Sequence, residues 1–264
     1  MELLLASSFD QLSSYDPSAV RRGLRHIEGL LAHICRPSPD SDHSLLEDPA
    51  YCEFLRLQDG FEWNLTLRLL SCLERLLGQP SSELQSLLII SALDLIQGVL
   101  LIHPPSRRLF SRSVNMTIFL DLLDPMSDPS VQSATMNALV CALVNEWANV
   151  RTFETLDGLA TVCTLFRRKE TDHEVKLKIL EFLFCYLVPE SSSSSQPESY
   201  FSGTSSSHSS PESTSQTTNS QSSCRRHSSR TTQEKQKMLG KYLNNVDSIV
   251  SELRKTQPYG ELMI

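Results

Sequence analysis

The sequence predicts an all-α protein built from stacked helical repeats, and three observations carry that prediction. Apolar residues recur at helical spacing along most of the chain, and nothing alternates like a strand over a useful length. Prolines, glycines and Asp or Ser caps cut the pattern into helix-sized pieces. The pattern also repeats on itself. Moved back by 43 residues, Arg151, Phe153, Leu159, Val162, Leu165 and Phe166 fall on Arg108, Phe110, Met116, Phe119, Leu122 and Leu123. Moved back by 44, Leu183, Phe184 and Leu187 fall on Leu139, Val140 and Leu143, and a further 44 gives Leu95, Ile96 and Val99. That period is the spacing of armadillo or HEAT repeats. One such unit cannot bury its apolar face alone, so units stack. The expected architecture is an armadillo/HEAT-like helical solenoid over residues 1–189. A disordered Ser/Thr-rich insert follows over 190–232, and a C-terminal helix within 233–264 docks back on the repeats.

Taken in order, residues 1–15 are weakly amphipathic. Asp16-Pro17 is an N-cap followed by proline at the first helical position. The helix it opens runs to about Cys35, with Val20, Leu24, Ile27, Leu30, Leu31 and Ile34 on one face. Residues 36–42 are a loop. Asp48-Pro49 opens a short helix that Asp59-Gly60 breaks, and the next helix covers 61–77. Ser82-x-x-Gln85 caps a long helix that ends near Ile102, where His103-Pro104-Pro105 cannot continue the hydrogen-bond ladder. A helix covers 113–123, and Asp128-Pro129 caps another that runs to about Trp147. Residues 145–190 read as two helices and a link, the second opened by a Thr171-x-x-Glu174 capping box and stopped by Pro189. Glu181 interrupts that apolar second helix. Lys178 and Arg151 are the partners on offer, and a solvent-facing position is the other reading.

Composition changes abruptly after this. Of the 43 residues from 190 to 232, 25 are Ser or Thr, and only Tyr200 and Phe201 are large and apolar. Such a segment cannot bury enough surface to offset its ordering entropy. From 233 to 254 apolar residues return at helical spacing, with Met238, Leu239, Tyr242, Leu243, Val246, Ile249, Val250 and Leu253 forming a stripe that needs a surface to lie on.

The net charge of -7 argues against nucleic acid or an anionic membrane as the main partner. Apolar runs such as residues 87–92 are too short to span a bilayer, so no membrane insertion is expected. The opening M-E-L-L-L-A-S-S-F-D has no basic region and only a short apolar run, so it is not a signal peptide, and a cytosolic or nuclear setting is expected. The seven cysteines are odd in number and lack a C-x-x-C, which suits small buried hydrophobes in a reducing compartment.

Little in the sequence carries chemistry. Cys224 and Arg230 have the C-x5-R spacing of cysteine-dependent phosphatases. Yet no glycine lies between them, and the residues before Cys224 cannot form the buried strand that this chemistry needs. His26, His33 and Cys35 lack a further ligand at metal spacing. There is no phosphate loop and no nucleophile–base arrangement, so no catalytic residue, metal, cofactor or small-molecule substrate is expected. Ser210, before a proline, and Ser228, in Arg225-Arg226-His227-Ser228, are candidate phosphorylation sites.

The blocks V-R-T-F-E-T-L-D-G-L-A-T-V-C-T-L-F, H-E-V-K-L-K-I-L-E-F-L-F-C-Y-L-V-P-E and T-Q-E-K-Q-K-M-L-G-K-Y-L-N-N-V-D-S-I-V-S-E-L-R flank and enclose the Ser-rich insert. Together they resemble the fungal cell division control protein fourteen family, a septation initiation network component that shares its name with an unrelated phosphatase. The resemblance implies a non-catalytic subunit that binds a germinal-centre-class protein kinase and promotes septum formation and cytokinesis. It also implies a cytoplasmic protein that associates with the spindle pole body. An armadillo-type scaffold or peptide-binding module with another client is the alternative. For the partner surface, Asn145, Glu146, Trp147 and Arg151 combine hydrogen-bonding groups, charge and aromatic area at the junction of two units, the mix found at binding hot spots. A second reading of the same residues is structural: Asn145 and Arg151 tie neighbouring helices and Trp147 packs.

Overall fold

The computed structural model describes residues 1–36, 47–190, 229–244, 246–248 and 251. Among these the regular elements are helices, and none of the described residues forms a strand. In order they are α1 (Glu2–Leu12), α2 (Pro17–Ile34), α3 (Pro49–Asp59), α4 (Leu65–Leu77) and α5 (Glu83–Ile102). A 3₁₀ segment (Pro104–Ser111) is followed by α6 (Ser113–Leu122), α7 (Pro129–Leu143), α8 (Trp147–Thr155), α9 (Gly158–Arg167), α10 (His173–Leu187) and α11 (Thr232–Leu239).

The local start signals work as the sequence predicts. The Asp16 carboxylate accepts from the Ser18 and Ala19 amides, and Asp48 from Ala50 and Tyr51. Ser82 and Gln85 form a reciprocal capping box. Each such cap contributes about 1 kcal/mol. Four expectations are corrected. The helix expected from 61 starts at Leu65, because Asn64 caps it and Phe61 stands out in solvent. The helix expected to reach Trp147 stops at Leu143, where Asn145 takes a left-handed φ of 58° and turns the chain into α8. Residues 145–190 therefore hold three helices rather than two, with a second left-handed residue, Asp157 at φ 57°, separating α8 from α9. Thr171 does not form a capping box: its hydroxyl donates to the Leu165 carbonyl at 2.7 Å, and Asp172 caps α10 by accepting from the Glu174 amide at 2.8 Å.

The last helix of each unit forms the spine of the fold. α5 packs between α2 and α7, and α7 packs on α10. Partner helices cover the spine from the side: α1 on α2, α4 on α5, α6 on α7 and α9 on α10. The repeat register seen in the sequence is a burial register. Leu95, Leu139 and Leu183 are all buried in the spine, as are Val99, Leu143 and Leu187. Phe110 and Phe153, one period apart, are each fully buried. Phe110 packs on Phe119 with centroids 4.8 Å apart, and Phe153 packs edge-on against Phe182 at 5.5 Å.

α5 has 20 residues and is apolar enough to cross a membrane by length and composition, which the reading of uninterrupted apolar runs missed because Ser91 and Asp94 break them. Here it is the central helix of the stack.

The C-terminal segment docks on the spine through α10, with Leu239, Leu243 and Val246 buried. The helix is shorter than expected: Gly240 ends it, and Leu243 and Val246 follow a turn. Ile249, Val250 and Leu253 lie outside the described residues, as does most of the Ser-rich insert. The two edges of that insert do not behave like a linker. Glu190 is buried, and its amide donates to the Arg230 carbonyl at 3.0 Å. The packed part of the chain therefore reaches Glu190 and resumes by Arg230.

Candidate partner-binding site

The left-handed turn at Asn145 swings the chain away from the end of α7 and starts α8 with Trp147. This leaves a pocket of about 150 Å³ between the ends of α7 and α10. Its walls are Val140, Val144, Trp147, Tyr186 and Val188, with Asn145 and Lys235 as its polar members. Val144 is 41% and Val188 50% exposed, so the mouth opens to solvent between two apolar residues. The Lys235 Nζ lies 5.2 Å from the Trp147 ring centroid and 5.4 Å from that of Tyr186, where the negative ring faces favour a cation.

Behind the pocket lies a charge cluster that fastens the C-terminal segment. Lys235 comes from α11, and its Nζ donates to the Val188 carbonyl at 2.9 Å and pairs with Glu190 Oε1 at 3.2 Å. The other Glu190 oxygen accepts from the Arg151 guanidinium and, at 2.8 Å, from the Arg230 amide. Arg151 also donates to Glu154 at 2.9 Å. Glu154 in turn accepts from the Arg230 guanidinium and, at 2.8 Å, from the Tyr186 hydroxyl. The side chains of Glu190 and Lys235 are 0% and 1% exposed. Burial pulls the Lys235 ammonium below the usual lysine range, and Glu190 partly restores it. Burial also opposes the Arg151 cation, but Glu154 and Glu190 outweigh it and hold its pKa above the ordinary value. Burial, then the bond to Glu154, raises the pKa of the Tyr186 phenol.

Three of the four residues singled out in the sequence fall on these two features. Asn145 and Trp147 line the pocket. Arg151 faces the charge cluster, where its guanidinium is taken up by two carboxylates. Glu146 stands at the start of α8, 4.0 Å from Arg108 of the preceding unit. Arg151 ties α8 to the chain beyond α10, and a further tie between units runs through Asn149, which is buried and donates to the Arg107 and Ala142 carbonyls at 2.7 and 2.6 Å. Glu181 faces solvent and also pairs with Lys178 at 3.0 Å, so both readings offered for it hold together. Arg230, half of the phosphatase-like spacing, holds Glu154, while Cys224, Ser210 and Ser228 lie outside the described residues. No group of three or more His, Cys, Asp or Glu side chains comes together to suit a metal among the described residues. The sequence reading did not single out Glu154, Tyr186, Glu190 or Lys235. Lys235 had a visible signal, because it stands on the same stripe as Met238, Leu239 and Tyr242, where a solvated lysine is out of place.

Fold and site define the class: an all-α protein of stacked helical units, with an aromatic-walled pocket beside a C-terminal segment fastened by buried charges. The family described as "Cell division control protein 14, SIN component" matches residues 1–259. The "Cell division control protein 14" of Schizosaccharomyces pombe (strain 972 / ATCC 24843) is 31% identical over 271 residues, spanning 99% of this chain and 98% of that protein. No solved structure matches. The chain belongs to the Cell division control protein 14 family, and with it to the components of the septation initiation network that acts in cell division.

Proposed function

We propose that the chain is a non-catalytic subunit that binds a germinal-centre-class protein kinase and so promotes septum formation, and that the pocket between α7 and α10 is where the kinase docks. The observation that carries this reading is the pocket's composition. Trp147 and Tyr186 belong to the residue types that dominate interface energetics, and they sit in a concave, apolar site with the exposed Asn145 to orient a ligand. Membership of a family of septation initiation network components supports the choice of a kinase as partner and of a cytoplasmic, spindle-pole setting.

The test uses the full chain, tagged and co-purified with the kinase. Val144→Asp and Val188→Asp alter exposed positions at the mouth and should leave the melting temperature in place. Each should lower the recovered kinase at least about tenfold, as loss of one hot-spot contact does. Asn145→Gly removes the side chain while keeping the left-handed turn that alanine would strain. Full kinase recovery with both valine variants would remove the pocket from the interface. Failure of the native chain to retain the kinase would remove the kinase reading itself.

A further inference from the structure

A second groove lies between α2 and α5, away from the α7–α10 pocket, with a volume of about 430 Å³. α2 contributes Arg21, Arg25 and Glu28 to it, and α5 contributes Leu84, Leu87 and Asp94. Leu84 is 42% and Leu87 56% exposed, on a helix that is otherwise the core of the stack. Both side chains continue the apolar pattern of α5 outward onto a surface that no described element covers.

The charges in this groove stand in solvent and are left to a partner. Elsewhere on the molecule exposed carboxylates meet cations, as Glu53 does Arg56 at 2.8 Å and Glu181 does Lys178 at 3.0 Å. Among the described residues, Arg21, Arg25, Glu28 and Asp94 are exposed and take part in no salt bridge. Glu28 and Asp94 both line the groove, and burial followed by the like charge of Glu28 raises the Asp94 pKa. Two carboxylates thus gather at one end of the groove, while the two arginines lie further toward the start of α2.

We propose that this groove receives an amphipathic helix of a partner protein. The helix sets apolar side chains on Leu84 and Leu87, a basic residue between Glu28 and Asp94, and an acidic residue against Arg21 and Arg25. A cleft between two helices is the shape that helix-in-groove recognition uses. From Leu84 to Asp94 the wall is about 15 Å long at 1.5 Å per residue, close to three helical turns. The charge arrangement selects the occupant: an apolar helix alone would leave the two carboxylates without a cation, and a uniformly acidic or basic one would be repelled at one end. This surface is independent of the pocket proposed for the kinase.

The probe is a synthetic, fluorescently labelled helical peptide of about 16 residues with leucines at i, i+4 and i+7, a glutamate near one end and a lysine near the other. It is titrated by anisotropy against the full chain. Binding is expected, weakened at least about tenfold by Leu87→Glu and several-fold by Asp94→Lys, with unchanged melting temperatures because both positions are exposed. The same peptide with every leucine replaced by serine should not bind. The proposal is overturned if the native chain does not bind the leucine peptide, or if Leu87→Glu binds it as well as the native chain does. It is also overturned if sedimentation shows that the native chain is a dimer which Leu87→Glu dissociates, since the groove would then be an interface between copies.

Discussion

Replacing Glu190 with glutamine tests whether the buried charges fasten the C-terminal segment. The cluster sets Arg151, Arg230 and Lys235 against Glu154 and Glu190. Glutamine keeps the shape and can still accept from the Arg230 amide, but it leaves three cations facing one carboxylate. Breaking a buried ion pair by removing one partner costs about 3–5 kcal/mol. The lower end applies here, because Arg151 and Arg230 retain Glu154 and are 16% and 28% exposed, whereas Lys235 at 1% has no other carboxylate within ion-pair distance among the described residues. For a chain of this size, a loss of about 3 kcal/mol lowers the melting temperature by roughly 6–12 °C. Circular dichroism melts and urea titrations of the two proteins give the number. Adding Lys235→Met removes the stranded charge and replaces it with a flexible apolar side chain. The double variant should therefore be more stable than Glu190→Gln alone, with an interaction energy of about 1 kcal/mol or more. A Glu190→Gln protein within about 0.5 kcal/mol of the native one, the range of an ordinary surface substitution, would refute the argument and mean that water solvates the cluster.

Gly158→Ala should destabilise the fold by about 1–3 kcal/mol, because the added methyl would collide with the Phe153 ring that packs on Phe182, and denaturant titration reads the loss. Burial raises the Cys163 thiol to about 11, so its contribution to stability is complete below its ordinary value of 9.0 and is lost as the pH climbs toward 11. In that window stability should fall by up to about 1.4 kcal/mol per pH unit from this group, and Cys163→Ala should flatten the slope when melts are compared from pH 8 to 11.

What could be read in the sequence was what local chemistry decides. Asp16-Pro17, Asp48-Pro49 and Ser82-x-x-Gln85 mark helix starts because cap and amide lie within three residues of one another. The repeat was legible because Leu95, Leu139 and Leu183 meet the same demand for burial in successive units. The break at Asn145 was not, since Val144-Asn145-Glu146-Trp147 holds no glycine or proline, and asparagine adopts a left-handed turn only when the packing around it asks for one. Thr171 fits the capping-box spacing, but the Asp172 carboxylate one residue on accepts from the Glu174 amide and caps α10, a competition that the spacing did not reveal. The charge cluster was hidden for another reason. Glu190 and Lys235 are separated by the Ser-rich stretch, and composition assigned Glu190 to that stretch, so nothing local joined them.

The pocket and the fastening share a wall, and this constrains how either can be used. Lys235 lines the pocket with one surface and closes the charge cluster with its Nζ, while the carbonyl that accepts from that Nζ belongs to Val188, whose side chain is at the pocket mouth. Deleting the chain from 229 onward would remove the lysine, expose Leu239's place on α10 and strand Glu190 against Arg151 alone. Loss of a partner on such a deletion would not show that α11 touches it. Linkage separates the two roles. A partner that needs the Lys235 wall binds only the fastened state, so at a hundred times its Kd it adds about 2.7 kcal/mol to that state. That nearly equals the loss worked out for Glu190→Gln, and partner binding would therefore bring the variant's melting temperature back close to that of the unbound native chain. A partner that touches only Val140 and Val144 on the α7 side gains nothing from the fastening, and it would bind the native and Glu190→Gln chains alike.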